Sequence, residues 1–234
     1  MTNQDLIIST LDGGNFSAYV SEPPEGNGPG LIVIQEIFGV NAIMRQIADE
    51  YASLGYLAVV PDLFWRLEPN IELEPDNQED LAKAFSLYEQ FNEDQGVDDL
   101  IATLEAVKAL PSCSGKVGTL GFCLGGKLAY LMATRSLADC NISYYGVGID
   151  NNLHEQEQIK TPLMLHLAEL DEYVSPDAQT QMISSLQDHP QVILHRYLGV
   201  NHGFSRVNST AYVSEIAQQA GDRTLQFLQQ HLKP

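Results

Sequence analysis

Short apolar runs alternate with amphipathic stretches along almost the whole chain, the rhythm of an α/β domain. Residues 5–10 and 16–21 read as an opening pair of strands joined by the turn Leu11-Asp12-Gly13-Gly14. The continuous apolar run GLIVIQ at 30–35 suits a strand buried on both faces, and YLAVVPD at 56–62 suits the next. Between them apolar residues recur at Ile43, Met44, Ile47, Tyr51 and Leu54, one face of a helix, and Gly55 stands where a left-handed cap would end it.

Between Leu63 and Gln95 the pattern loosens into an acidic, aromatic surface excursion with helical spacing only in its second half, so one helix is expected there. Val97, Leu100, Ile101, Leu104 and Val107 restore a helical stripe. A buried strand, KVGTLGF at 116–122, then leads straight into a helix at 124–134. Three further strands are expected at ISYYGVG (142–148), PLMLHLA (162–168) and VILHRYLG (192–199). A helix between the last two opens on Ser175 as N-cap with Pro176 at its first position, and a long helix at about 211–231 closes the chain. With no internal repeat and no Pro/Gly-rich linker, residues 1–234 read as a single domain.

Composition narrows the function. Against 31 Asp and Glu stand 12 Lys and Arg, a formal charge of −19 that repels phosphate backbones and anionic lipid. Neither nucleic-acid nor membrane binding is expected. The first residues lack the basic start and apolar stretch of a leader, and no segment approaches a membrane span, so a soluble, unprocessed protein is expected. Three cysteines, Cys113, Cys123 and Cys140, without metal-type spacing, point to a reducing cytoplasm.

The most specific chemical signal is Gly121-Phe122-Cys123-Leu124-Gly125-Gly126, at a junction from buried strand to helix. This is the nucleophile-elbow pattern with Cys in the place of Ser; the glycines permit a sharp turn that stands the side chain above the sheet at a helix N-terminus. Sulfur gains from that position, because the positive end of a helix favours the thiolate, the nucleophilic form. The usual fate of a free cysteine, a small buried hydrophobe, is expected of Cys113 or Cys140 instead. Residues 121–127 also spell Gly-x-x-x-x-Gly-Lys. Leu128 stands where a phosphate-binding loop needs a Ser or Thr for Mg²⁺, so Lys127 is expected to be an ordinary surface cation.

A nucleophile of this type calls for an acid and then a base later in the chain. His202 lies in GVNHGFSR just past the last strand, at the edge where active sites of parallel sheets collect, whereas His166 and His195 fall within strands and are expected to be packed. Asp171 occupies the matching loop after PLMLHLAEL and would fix the His202 tautomer, with neighbouring Glu172 as an alternative. The oxyanion hole would use the N–H groups of Leu124 and Ile37. Glu36 ends an apolar strand beside the latter; it could take the thiol proton, hold the thiol neutral, or simply pair with Arg206.

Taken together, QEIFGVN, GYLAVVPDLF, GTLGFCLGG, YYGVG, the Asp171 loop and NHGFSR give a chain that resembles the dienelactone hydrolases, or carboxymethylenebutenolidases, over essentially its whole length. The resemblance implies an α/β-hydrolase fold with a mostly parallel central sheet of about eight strands, helices on both faces and no large lid. It implies a Cys123-His202-Asp171 triad, Glu36 controlling the thiol, an oxyanion hole at Ile37 and Leu124, Arg206 as a contact for a substrate carboxylate, and Tyr145 lining the site. Where the family's excursion helix offers Arg, Tyr and Trp to the substrate, this chain aligns Leu81, Phe85 and Tyr88, and Gly203 replaces a small polar residue. The second carboxylate-binding cation, beside Arg206, is therefore missing.

The expected activity is hydrolysis of a lactone or small activated ester through a thiol acyl-enzyme, with no metal or organic cofactor, by a monomer or weak homodimer. Alternatives are a carboxylesterase or thioesterase of different range, and a non-catalytic binding or redox-sensing domain that uses Cys123.

Overall fold

In the computed structural model, residues 4–207 and 209–233 are described. The strands are β1 (Gln4–Ser9), β2 (Asn15–Ser21), β3 (Gly28–Ile34), β4 (Leu57–Pro61), β5 (Cys113–Phe122), β6 (Cys140–Tyr144), β7 (Leu163–Ala168) and β8 (Val192–Tyr197). The helices are α1 (Ala42–Ser53), α2 (Gln78–Gln90), α3 (Glu93–Lys108), α4 (Leu124–Arg135), α5 (Pro176–Leu186) and α6 (Ser214–Leu232). The eight strands form one sheet in the order β1-β2-β4-β3-β5-β6-β7-β8. β1 and β2 pair antiparallel, as do β2 and β4, whereas β3 with β4, β6 with β7, and β7 with β8 run parallel. This is the mostly parallel sheet expected of the α/β-hydrolase fold.

The chain divides into two compact units, Met1–Thr119 and Leu120–Pro234. In the first, every residue of β3 and β4 is buried, which is why both read as unbroken apolar runs. Asn41 caps α1 by accepting the Met44 N–H, and Gly55, with a φ of +91°, follows the helix as expected. The excursion carries one helix, α2, started by Asn77, whose side chain accepts from the N–H groups of Glu79 and Asp80.

In the second unit every residue of β6 and β7 is buried. Ser175 caps α5 as its sequence suggests, accepting from Ala178 N–H. Two expectations need correction. The sixth strand stops at Tyr144, because Tyr145 takes a φ of +39°, outside extended backbone, and a turn over 145–148 takes the place of the expected continuation before a 3-10 helix (Ile149–Gln158) begins. Lys127 is no surface cation: it is 5% exposed, because the helix carrying it is buried from Leu124 to Thr134.

Candidate active site

The local fold of the second unit brings the chemical residues to the C-terminal ends of the parallel strands. β5 ends at Phe122 and α4 begins at Leu124, leaving Cys123 alone at the turn with φ +55° and ψ −114°. Its N–H donates to the Tyr144 carbonyl at 3.1 Å, and its carbonyl accepts from Lys127 N–H at 3.1 Å. A left-handed conformation at a non-glycine residue is held only where its surroundings over-determine it. Here they do. A Cβ on Gly121 would fall inside the Gly125 carbonyl, and one on Gly126 would lie 2.5 Å from the Tyr144 oxygen, so both glycines are required by close approach. Leu124 is the first residue of α4, where no preceding helical carbonyl can take its N–H.

His202 and Asp171 come from the loops after β8 and β7. The imidazole Nδ1 lies 3.0 Å from both Asp171 oxygens, and since a carboxylate only accepts, Nδ1 carries the proton. Both side chains are nearly excluded from solvent. Burial works against charge on His202. The negative charge of Cys123, hydrogen bonds to Asp171 and Cys123, and the charge of Asp171 outweigh it, and the imidazole is pushed up to about 10. Glu172 takes a different part: it is exposed, and its backbone N–H donates to Asn201 Oδ1 at 3.0 Å. Asn201 also accepts the His202 N–H at 2.7 Å and donates to a Glu172 carboxylate oxygen at 3.2 Å, tying the two loops together.

Two tyrosines flank the imidazole. Tyr145, 2% exposed, meets His202 edge to face at 4.8 Å between centroids, and its hydroxyl lies 3.1 Å from Ser205 Oγ. Tyr173, 47% exposed, meets the same ring at 4.8 Å and 82°. Burial, reinforced by Glu172 and Cys123, raises the Tyr173 phenol, keeping it neutral. Gly203 has a φ of +73°, and an added Cβ would lie 3.3 Å from Arg206 Nη2, which accounts for a glycine where the family pattern has a small polar residue. Neither Tyr173 nor Asn201 was singled out by sequence; the only local hint was their position next to Asp171 and His202.

Beneath these loops, β7 carries the fully buried His166. Its Nδ1 is 2.8 Å from the Tyr197 hydroxyl, its Nε2 is 3.0 Å from Thr224 Oγ1, and Thr224 lies 2.7 Å from the Tyr144 hydroxyl. Burial, reinforced by the electrostatic effect of His195 and Arg223, holds His166 well below the usual histidine range, so it is neutral and structural, as expected of a strand histidine.

In the first unit, Glu36 and Ile37 follow the C-terminal end of β3 and are both buried. Gln35 braces this corner, its side-chain oxygen accepting the Leu63 N–H at 3.0 Å. On α2, Leu81, Phe85 and Tyr88 stand at helical spacing and share one half-buried face.

The model of the dienelactone hydrolase family matches residues 16–232. The chain belongs to that family. It is 36% identical over 234 residues to a carboxymethylenebutenolidase of a Pseudomonas species, covering 100% of this chain and 98% of that protein. It is 35% identical over 228 residues to the carboxymethylenebutenolidase of Pseudomonas putida, covering 97% of each. Among solved structures, a dienelactone hydrolase-like promiscuous phosphotriesterase from metagenomic libraries superimposes with a TM-score of 0.81 over 99% of this chain and 100% of the other, at 17% identity, which supports the shared fold. As a member of the dienelactone hydrolase family the chain is a carboxylic ester hydrolase. Among the described residues no helix is long and apolar enough to cross a membrane.

Proposed function

We propose that the chain is one α/β-hydrolase domain that opens a lactone, or cleaves a small activated ester, through a Cys123-His202-Asp171 triad. The observation that carries this reading is the conjunction at Cys123. A cysteine in a left-handed turn at the start of α4 shares a hydrogen bond with His202, whose far nitrogen is held by Asp171.

The Cys123 thiolate adds to the carbonyl carbon, and the negative charge gathers on the carbonyl oxygen, where the N–H of Leu124 is a donor. Collapse of that intermediate breaks the acyl C–O bond. With an enol lactone the leaving group is a stabilised enolate, so the step runs forward, whereas an unactivated ester would tend to expel sulfur again. Acylation removes the negative charge from sulfur and with it two of the influences that keep His202 protonated. His202 passes its Nε2 proton to the departing enolate oxygen and, now neutral, takes a proton from water; the water oxygen adds to the thioester, and the thiolate leaves as the acid forms. Asp171 holds the tautomer throughout. From the first unit, the family pattern adds Glu36 as the residue controlling the thiol and Ile37 as a second oxyanion donor. Arg206 is the proposed contact for a substrate carboxylate, and Leu81, Phe85, Tyr88 and Tyr145 are proposed as uncharged substrate contacts.

The test is hydrolysis of a dienelactone beside p-nitrophenyl acetate by the wild type and Cys123→Ala, with the acyl-enzyme followed by intact mass. Turnover lost in the variant, with an adduct on the wild type alone, supports the thiol hydrolase. Turnover retained by Cys123→Ala overturns it. Neither turnover nor adduct on the wild type would favour a binding or redox role for Cys123 instead.

A further inference from the structure

His202 and Asp171 sit on loops, yet their side chains are only 5% and 2% exposed. Tyr145 covers the imidazole from within the fold, but a ring that is itself buried cannot be what separates the pair from solvent. Tyr173 is the half-exposed ring against His202. Its backbone is placed by the acid it would protect: the Tyr173 N–H donates to Asp171 Oδ1 at 2.9 Å in a tight turn.

We propose that Tyr173 is a positioning residue whose ring shields the His202 Nδ1–H···Asp171 hydrogen bond from water and, with Tyr145, clamps the imidazole in one orientation. This role rests on the reading of His202 as the general base. Such a bond is stronger where water is excluded, and a clamped ring cannot swing Nδ1 away from Asp171 when the opposite nitrogen gives up its proton. The chemistry also favours a neutral aromatic shield. His202 alternates between imidazolium and imidazole during turnover. A second carboxylate in the place of Tyr173 would hold it in the charged form and a cation in the neutral form, whereas an aromatic quadrupole accommodates both and excludes water in each. The phenol is held neutral, as that role requires. The shield is supplied by the ring and not by the hydroxyl, so phenylalanine should serve equally well.

The test uses the full chain labelled with ¹⁵N-histidine and reads exchange of the His202 Nδ1 proton with water in the resting enzyme. Protection of a buried proton falls as the cover over it is removed, so Tyr173→Ala should exchange about tenfold faster than wild type or more, and Tyr173→Phe within about twofold of wild type. Turnover of p-nitrophenyl acetate should follow the same order, with Tyr173→Phe rescuing what Tyr173→Ala loses. Should the alanine variant fail to fold, Tyr173→Ser takes its place with the same expectation. Exchange in the alanine or serine variant within about twofold of wild type, or a phenylalanine variant as fast as alanine, overturns the proposal. Exchange is read without substrate, so a wild type that turns over neither ester refutes the hydrolase reading and leaves this measurement standing.

Discussion

Both carboxylate oxygens of Asp171 lie 3.0 Å from Nδ1 of His202, so the imidazole is held in the one tautomer that leaves its other nitrogen facing Cys123. Asp171→Asn keeps the size of the side chain but can present an N–H to that nitrogen and select the wrong tautomer. We expect ester turnover to fall by about 10²–10⁴-fold with little loss of stability. Steady-state rates beside a melting curve check it; unchanged turnover would remove Asp171 from the triad.

The charge of His202 is linked to that of Cys123. In the resting enzyme the imidazole is raised to about 10, so it should remain protonated across neutral pH. Alkylation of Cys123 with iodoacetamide removes the thiolate and its hydrogen bond, leaving burial opposed only by Asp171. The His202 titration followed by ¹⁵N chemical shifts should therefore move to lower pH after alkylation. A midpoint that does not move would show that the two groups are not coupled.

His166 makes an opposite, purely structural prediction. Its folded-state value is held below the ordinary 6.5 by burial, so the unfolded chain binds the extra proton first as pH falls. The stability it confers is present above about pH 6.5 and is lost below it, by up to about 1.4 kcal/mol per pH unit. His166→Asn removes hydrogen bonds in a buried network and should cost about 1–3 kcal/mol at pH 7.5. The gap between wild type and variant should narrow toward pH 5, as read from urea midpoints. His195 is lowered in the same direction and remains in the variant, so some acid sensitivity persists there too.

Specificity is tested on α2. Leu81, Phe85 and Tyr88 share one half-buried face and none carries a formal charge at neutral pH. Leu81→Arg should shift selectivity toward an anionic lactone over a neutral ester by about tenfold or more, the scale of one charge-assisted contact. The ratio of kcat/KM for the two substrates measures it, and an unchanged ratio would exclude Leu81 from the pocket.

Much of this was readable from residue order because local and global preferences agree. β3 and β4 are fully buried and therefore unbroken apolar runs; Ser175 and Pro176 start α5; the glycines around Cys123 are demanded by backbone contacts a side chain would violate. What escaped depends on tertiary placement. Tyr145 ends the sixth strand through a backbone angle that no local pattern encodes, and Lys127 is buried because its whole helix is. Tyr173 and Asn201 matter only through what they touch, Tyr173 through its ring on His202 and Asn201 through hydrogen bonds to Glu172 and His202. Spacing along a chain carries periodicity and turn chemistry, but not the identity of a partner about thirty residues away.

Asn201 also constrains how this architecture can diversify. Its side chain fastens the stretch before His202 to the stretch after Asp171, so an inserted or deleted residue between Leu198 and His202, or between Leu170 and Glu172, would slide one partner past the other. Beyond Arg206 the chain is tied back to the His202 loop as well, the Val213 N–H donating to the Phe204 carbonyl at 3.0 Å and the Ser209 hydroxyl to the Gly203 carbonyl at 3.4 Å. Length variation, whether by natural drift or by a library, is therefore best kept out of both loops, so that the acid and the base stay in register.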